Sequence, residues 1–136
     1  MVEMDIVYEG TLRCKATHGP SKSAIATDAP KDNHGRGEAF SPTDLVGAAL
    51  GSCMMTIMGI YAQRHNLDLS GSTVHVAKEM VTAPVRRIGK LTVLFTVKGA
   101  SSPEHRRALE NAALTCPVHK SLHPDVQVDA TFNYGS

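Results

Sequence analysis

Apolar and polar positions alternate with a period of two at the start of the chain. Val2, Met4, Ile6 and Tyr8 stand between mostly acidic neighbours, the pattern of a half-buried strand. Glu9-Gly10 reads as a turn, and Leu12, Cys14 and Ala16 carry the alternation into a second strand. His18-Gly19-Pro20-Ser21 interrupts it, and a third strand is expected from about Ser23 to Thr27. The stretch Asp28 to Gly37 is rich in Pro, Asp, Asn and Gly and reads as a loop.

The period then changes. Ser41-Pro42-Thr43-Asp44 is a helix start: Ser41 can cap, Pro42 suits the first helical position, and Asp44 can close a capping-box-like pair. The helix is expected to run to about Asn66. Val74, Val76, Lys78 and Met80 line one face of a further strand. Ala83 to Gly89, with Pro84 and two arginines, reads as a hairpin connection to a strand carrying Leu91, Val93, Phe95 and Val97. Ser102-Pro103-Glu104 repeats the cap-then-proline signal, and Leu109, Ala112, Ala113 and Cys116 recur at helical spacing. Thr115-Cys116-Pro117 breaks that helix and starts a short one, which Pro124 ends. Val126, Val128, Ala130, Phe132 and Tyr134 make a last strand. The order βββ-α-ββ-α-α-β implies α+β with mostly antiparallel pairing. No internal repeat or linker divides residues 1–136, so a single domain is expected.

The segment from Leu45 to Gln63 holds no charged residue, a length borderline for a membrane span. Gly, Ser, Thr and Gln dilute it, and a helix apolar all round is also what a fully buried core helix looks like. The expectation is a buried helix and no membrane, with small residues such as Gly47 and Gly51 allowing close approach of another element or a second subunit. A net charge of +1 gives no bias toward nucleic acid. With no Trp and few aromatics, base stacking is not expected either. Three cysteines, an odd count, and no signal-peptide pattern suggest a reducing cytoplasm, where a disulfide is transient or catalytic.

Two cysteines carry the candidate chemistry. Cys53 lies inside the uncharged helix, where it is either a small buried hydrophobe or one half of a redox pair. Cys116 lies at a helix start, where the dipole and free N–H groups should lower its pKa. Cys14 sits on a strand face and reads as packing. Cys116-x2-His119-x3-His123 places metal-type ligands on one helical stretch, a weak signal without a CxxC or HExxH beside it. No GxGxxG, Walker loop or GxSxG occurs.

Ser41-Pro-Thr-Asp-Leu45 with Ala48-Ala-Leu-Gly-Ser-Cys53, followed by Cys116-Pro-Val-His-Lys-Ser-Leu122, resembles the OsmC/Ohr family. The likeness covers nearly the whole chain. It implies an intertwined homodimer of α+β fold, with antiparallel sheets and two central helices packed at the interface. It also implies a thiol peroxidase that reduces organic hydroperoxides. Cys53 would be the peroxidatic thiol and Cys116 the resolving one. The resemblance implies no bound cofactor, and a dithiol or a lipoylated protein as external reductant. Helix-dipole reasoning makes Cys116 the more acidic thiol, whereas the family places attack at the Cys53 position, beside an essential arginine. Arg36, in the loop before the central helix, is the candidate, with Glu38 to orient it; Arg86 and Arg87 are alternatives, and His18 and Glu79 weaker ones. The hydroperoxide-specific branch carries a glutamate where this chain has Thr43. That departure leaves a second possibility, a ligand-binding stress-response dimer of the same fold with little or no peroxidase chemistry.

Overall fold

Strands and helices follow one another in the expected order, with one added 3₁₀ turn at Lys31–Asn33. The structure is a computed structural model and describes residues 1–135. The architecture is α+β, and the described chain falls into two compact units, Met1–Val46 and Gly47–Ser136.

The first unit is an antiparallel sheet in the order β1 (Met4–Gly10), β2 (Arg13–His18), β3 (Ala24–Asp28). Its first hairpin turns on three consecutive positive-φ residues, Gly10 at 87°, Thr11 at 52° and Leu12 at 64°. The second is held by His18, whose Nδ1 accepts from the Ser21 N–H at 3.2 Å and pairs with Ser21 Oγ at 2.6 Å. Alternation along β1 leads to an expectation of one buried face, and the structure departs from it. Met4, Ile6, Val7 and Tyr8 are each about three-fifths exposed (59%, 61%, 62% and 63%). The pleat is present, but among the described residues both faces of this strand are exposed.

Helix α1 (Pro42–Arg64) begins with the capping box its sequence announces. Ser41 Oγ accepts from the Asp44 N–H at 3.1 Å, and Asp44 Oδ2 accepts from the Ser41 N–H at 2.9 Å. The helix ends two residues before Asn66, which takes the left-handed conformation with φ 57°. By length and composition α1 is apolar enough to cross a membrane. Its buried residues, Gly47, Leu50, Gly51, Met54, Met58 and Ala62, follow helical spacing along one stripe. The expected all-round burial is therefore not reached within one chain: Ala48, Ala49, Ser52, Thr56 and Ile60 are exposed.

The second unit is built on the sheet β4 (Thr73–Val81), β5 (Arg87–Val97), β6 (Gln127–Tyr134), with β5 central. Leu91, Val93, Phe95 and Val97 alternate on β5 and have no solvent exposure. Phe95 stacks on Phe132 of β6 with ring centroids 4.5 Å apart. The β4–β5 pair is an antiparallel hairpin, but β6 runs parallel to β5. A parallel neighbour needs a crossover, supplied by α2 (Pro103–Leu114) and the short α3 (Pro117–Ser121). Leu109, Ala113 and Cys116 form the buried side of that crossover.

Two glycines set how closely α1 lies on this sheet. A Cβ at Gly51 would come within 2.8 Å of Val76 Cγ2 and 3.3 Å of Val74 Cγ1, whereas one at Gly47 would make ordinary contacts at 3.5 Å with Leu91 and Val76. Valine is stiff at χ1 and cannot swing its methyl away cheaply. Gly51→Ala is therefore expected to destabilise by ~1–2 kcal/mol, the overpacking cost less the gain in helix propensity. Gly47→Ala should be neutral or stabilising by up to ~1 kcal/mol. Urea denaturation of the two variants side by side checks the order.

Candidate active site

Cys53 is carried by α1, two residues beyond the glycine that touches the sheet, and is partly exposed. Cys116 is the N-cap of α3, completely buried, with Pro117 in the first helical position. Its Sγ accepts from the His119 N–H at 3.3 Å. The two cysteine side chains meet: Cys53 is a hydrogen-bonding neighbour of the Cys116 thiol and perturbs its ionisation directly. Both are free thiols.

The expectation that the helix start would acidify Cys116 is overturned. Burial, the largest influence, pushes its pKa up from the ordinary thiol range. The His119 N–H pulls the other way, the hydrogen bond and charge of Cys53 raise it further, and the Val118 N–H lowers it again. A turn as short as α3 adds little dipole, and a sulfur without solvent contact loses the hydration that would stabilise its thiolate. Cys116 therefore rests as the neutral thiol at neutral pH.

Arg36 and Glu38 lie in the first unit, with Arg36 Nη1 3.7 Å from Glu38 Oε1. Arg36 is 73% exposed, so the contact is a solvated one. No motif or hydropathy signal singles out the residues around them. Arg13 of β2, 31% exposed, has its Nη1 3.9 Å from Glu38 Oε1 and 4.0 Å from Asp28 Oδ2. Asp28 is buried at the end of β3 and its Oδ2 accepts from the Glu38 N–H at 3.0 Å. Asp28 Oδ1 has no hydrogen-bond partner among the described residues. The register of β2 with β3 places Arg13 opposite Asp28, which a hydropathy pattern does not disclose.

The remaining candidates have structural surroundings. Arg87 Nη1 donates to the carbonyls of Ile88 and Asp125 at 3.3 and 3.4 Å, tying the hairpin to the start of β6. Arg86 and Glu79 are exposed, and His18 serves the β2–β3 turn. Thr43 Oγ1 lies 3.2 Å from Ser41 Oγ within the cap of α1. Cys14 is half-buried on β2, between Tyr8 and Thr27. His119, Leu122, His123, Pro124, Val126 and Val128 line a cavity of about 220 Å³. His123 Nδ1 accepts from the Asp125 N–H at 3.0 Å. Among the described residues no group of three or more His, Cys, Asp or Glu side chains is placed to hold a metal ion.

An α+β fold in which two free thiols are neighbours, a partly exposed one on a long glycine-bearing helix and a buried one capping a short helix after a crossover, defines a class of protein with a cysteine pair. The family model described as OsmC-like protein matches residues 35–131, and the chain belongs to that family. It is 42% identical to a protein of Psychrobacter arcticus 273-4, provisionally assigned as an osmotic stress induced and detoxification response protein. The match has a TM-score of 0.92 and covers 98% of this chain and 96% of that one. The fold is shared with more distant proteins. One is an organic hydroperoxide resistance protein OsmC of Legionella pneumophila, at 16% identity and TM-score 0.73 over 98% and 96% of the two chains. Another is the organic hydroperoxide resistance protein OhrB of Bacillus subtilis, at 16% identity and TM-score 0.70 over 98% of each chain. No match was found among curated proteins.

The raised pKa of Cys116 has a measurable consequence. The unfolded thiol ionises first, so the unfolded chain binds fewer protons than the folded one once pH passes about 8.5. Folding stability is then expected to fall with rising pH from that point until the folded thiol also titrates. Urea midpoints at pH 7.5, 8.5 and 9.5 should drop in the wild type and drop less steeply in Cys116→Ala.

Proposed function

We infer that the chain is a cysteine-dependent peroxidase that reduces organic hydroperoxides, and that it works as a homodimer. The observation that carries this reading is the direct meeting of Cys53 and Cys116 side chains, one reachable from solvent and one enclosed. The hydroperoxide resistance proteins that share the fold lend it support.

The cycle follows from those two positions. The Cys53 thiolate attacks the terminal oxygen of the hydroperoxide; the O–O bond breaks, the alcohol leaves, and Cys53 becomes a sulfenic acid. Cys116, already in contact, attacks that sulfur. Its proton departs with the sulfenic hydroxyl as water, and the Cys53–Cys116 disulfide forms. A neutral resting Cys116 suits this order, because it does not compete for the peroxide and brings the proton the second step consumes. An external dithiol or a lipoylated protein then returns both sulfurs to thiols. The arginine that favours the attacking thiolate is assigned to Arg36, with Glu38 beside it. Met55, partly exposed two residues beyond Cys53 on α1, offers a pliable apolar contact for the organic part of the substrate.

A second copy accounts for surfaces that one chain leaves bare. The apolar residues of β1 are exposed on both faces. The uncovered side of α1 carries small residues. Its polar members are turned onto their own helix, Ser52 Oγ donating to the Ala49 carbonyl at 3.3 Å and Thr56 Oγ1 to the Ser52 carbonyl at 2.7 Å. Such a face costs little to dehydrate.

Stopped-flow mixing of the reduced protein with cumene hydroperoxide should show rapid loss of thiol followed by an internal disulfide in tryptic maps. Cys53→Ser should lose at least ~100-fold in peroxide consumption, the scale expected when a nucleophile is removed. Cys116→Ser should keep the first oxidation and lose dithiol-driven turnover; full turnover in Cys53→Ser would exclude the assignment. Sedimentation velocity should give twice the chain mass, and a monomer at micromolar concentration would remove the dimer from this account.

A further inference from the structure

We propose that His65 and His105 bind a late first-row divalent cation through their imidazoles, with Tyr61 holding both rings in place. The ion pins the end of α1 to the start of α2. The inference stands apart from the cysteine pair and does not rest on the peroxidase reading.

The three rings form one cluster where the two helices meet. Tyr61 is in the last turn of α1. His65 follows that helix directly, its N–H still bonded to the Ala62 carbonyl at 3.1 Å. His105 is in the first turn of α2, its N–H bonded to Ser102 Oγ. Tyr61 stacks on His65 with centroids 4.0 Å apart. His105 meets both rings edge-on, 5.9 Å from Tyr61 and 5.5 Å from His65. Tyr61 and His105 are half-buried and His65 is exposed, so a hydrated ion has access. The cluster also avoids the side of α1 assigned to a second copy. That side runs through Ala48, Ser52, Thr56 and Ile60. Tyr61 and His65 instead stand two helical turns beyond the buried Met54 and Met58, in line with the stripe that faces the chain's own core.

Each ring has one nitrogen engaged within the chain. His65 Nδ1 lies 2.9 Å from the Tyr61 carbonyl oxygen. A carbonyl only accepts, so Nδ1 carries the proton and Nε2 of the neutral ring keeps its lone pair. His105 Nδ1 lies 2.9 Å from the Tyr61 hydroxyl. That oxygen accepts as well as donates, so His105 too can hold its proton on Nδ1 and present Nε2. A ring N–H given to a neighbouring oxygen, with the other nitrogen on the ion, is the usual support of a metal-bound histidine. The spacing agrees. A zinc–nitrogen bond of about 2.0 Å sets each imidazole centroid about 3.2 Å from the ion, and two rings at a tetrahedral angle then stand about 5.2 Å apart. The observed separation is 5.5 Å, with the planes crossed at 66°. The negative end of the α1 dipole lies beside His65 and favours a cation there. Imidazole ligands suit zinc, copper and nickel. Two of them leave the other positions to water, so the ion exchanges, unlike one in a closed four-ligand site.

Zinc alone is the probe. Reduced wild-type protein is titrated with zinc chloride, and long-range ¹H–¹⁵N spectra follow each imidazole separately. Nε2 of His65 and Nε2 of His105 should shift together to the position of a metal-bound nitrogen, while both Nδ1 atoms stay protonated. This reading holds whether or not the thiols also take up zinc. Rings that stay unchanged at a tenfold excess of zinc, or that shift independently, would overturn the proposal. A second measurement uses Cys14→Ser/Cys53→Ser/Cys116→Ser protein, in which competition with a chromogenic chelator reads zinc affinity without thiols. Adding His65→Gln or His105→Gln should weaken that affinity at least tenfold. Adding His119→Gln and His123→Gln together should leave it within twofold. An undiminished affinity in His65→Gln, or its loss in the His119→Gln/His123→Gln protein, would place the ion elsewhere and end the idea.

Discussion

The close approach of α1 to the β4–β5 sheet governs the second unit. Gly51 has no Cβ, so the helix backbone settles where the methyls of Val74 and Val76 would otherwise hold it off. That contact sets the height of Cys53, two residues further along. The crossover through α2 and α3 then returns the chain so that Cys116 caps its short helix beneath the same region. Leu109 and Ala113, buried in α2, hold that crossover in the core. The proximity of the two sulfurs is thus a consequence of backbone packing.

Burial and charge act in opposition at this pair. A helix start offers N–H groups that favour a thiolate, but full enclosure of Cys116 outweighs them. The asymmetry between the sulfurs, one reachable and one sealed, is more useful than two equivalent thiols. On the peroxidase reading proposed above, it separates the partner that meets the peroxide from the partner that closes the internal bond.

The first unit has a different economy. Its three strands bury little apolar surface within the chain, and β1 is exposed along almost its whole length. The interactions that organise its far end are polar: Asp28 is buried, accepts from the Glu38 backbone, and lies opposite Arg13. Burying a carboxylate with one oxygen unmatched is costly. The surrounding arginine and amide contacts offset part of that cost and fix the course of the loop leading into α1.

Local signals were strong enough to be read in one dimension wherever the physics is local. The capping box of Ser41 and Asp44, the proline after Ser102, the alternation along β4 and β5, and the breaks at Cys116-Pro117 all depend on neighbours a few residues apart. The identity of the two cysteines as candidates was likewise legible, through residue type and motif. Alternation carries no strand direction, so the parallel docking of β6 on β5 was decided by the three-dimensional crossover. It carries no information on what covers a face either, which is why β1 turned out bare and α1 only half-enclosed. The ionisation of Cys116 reversed for the same reason: proximity to a helix start is a property of sequence, whereas loss of solvent belongs to the packed molecule. The chain order named the sulfurs; only tertiary packing, acting over long separations, decided that they touch and which of them water can reach.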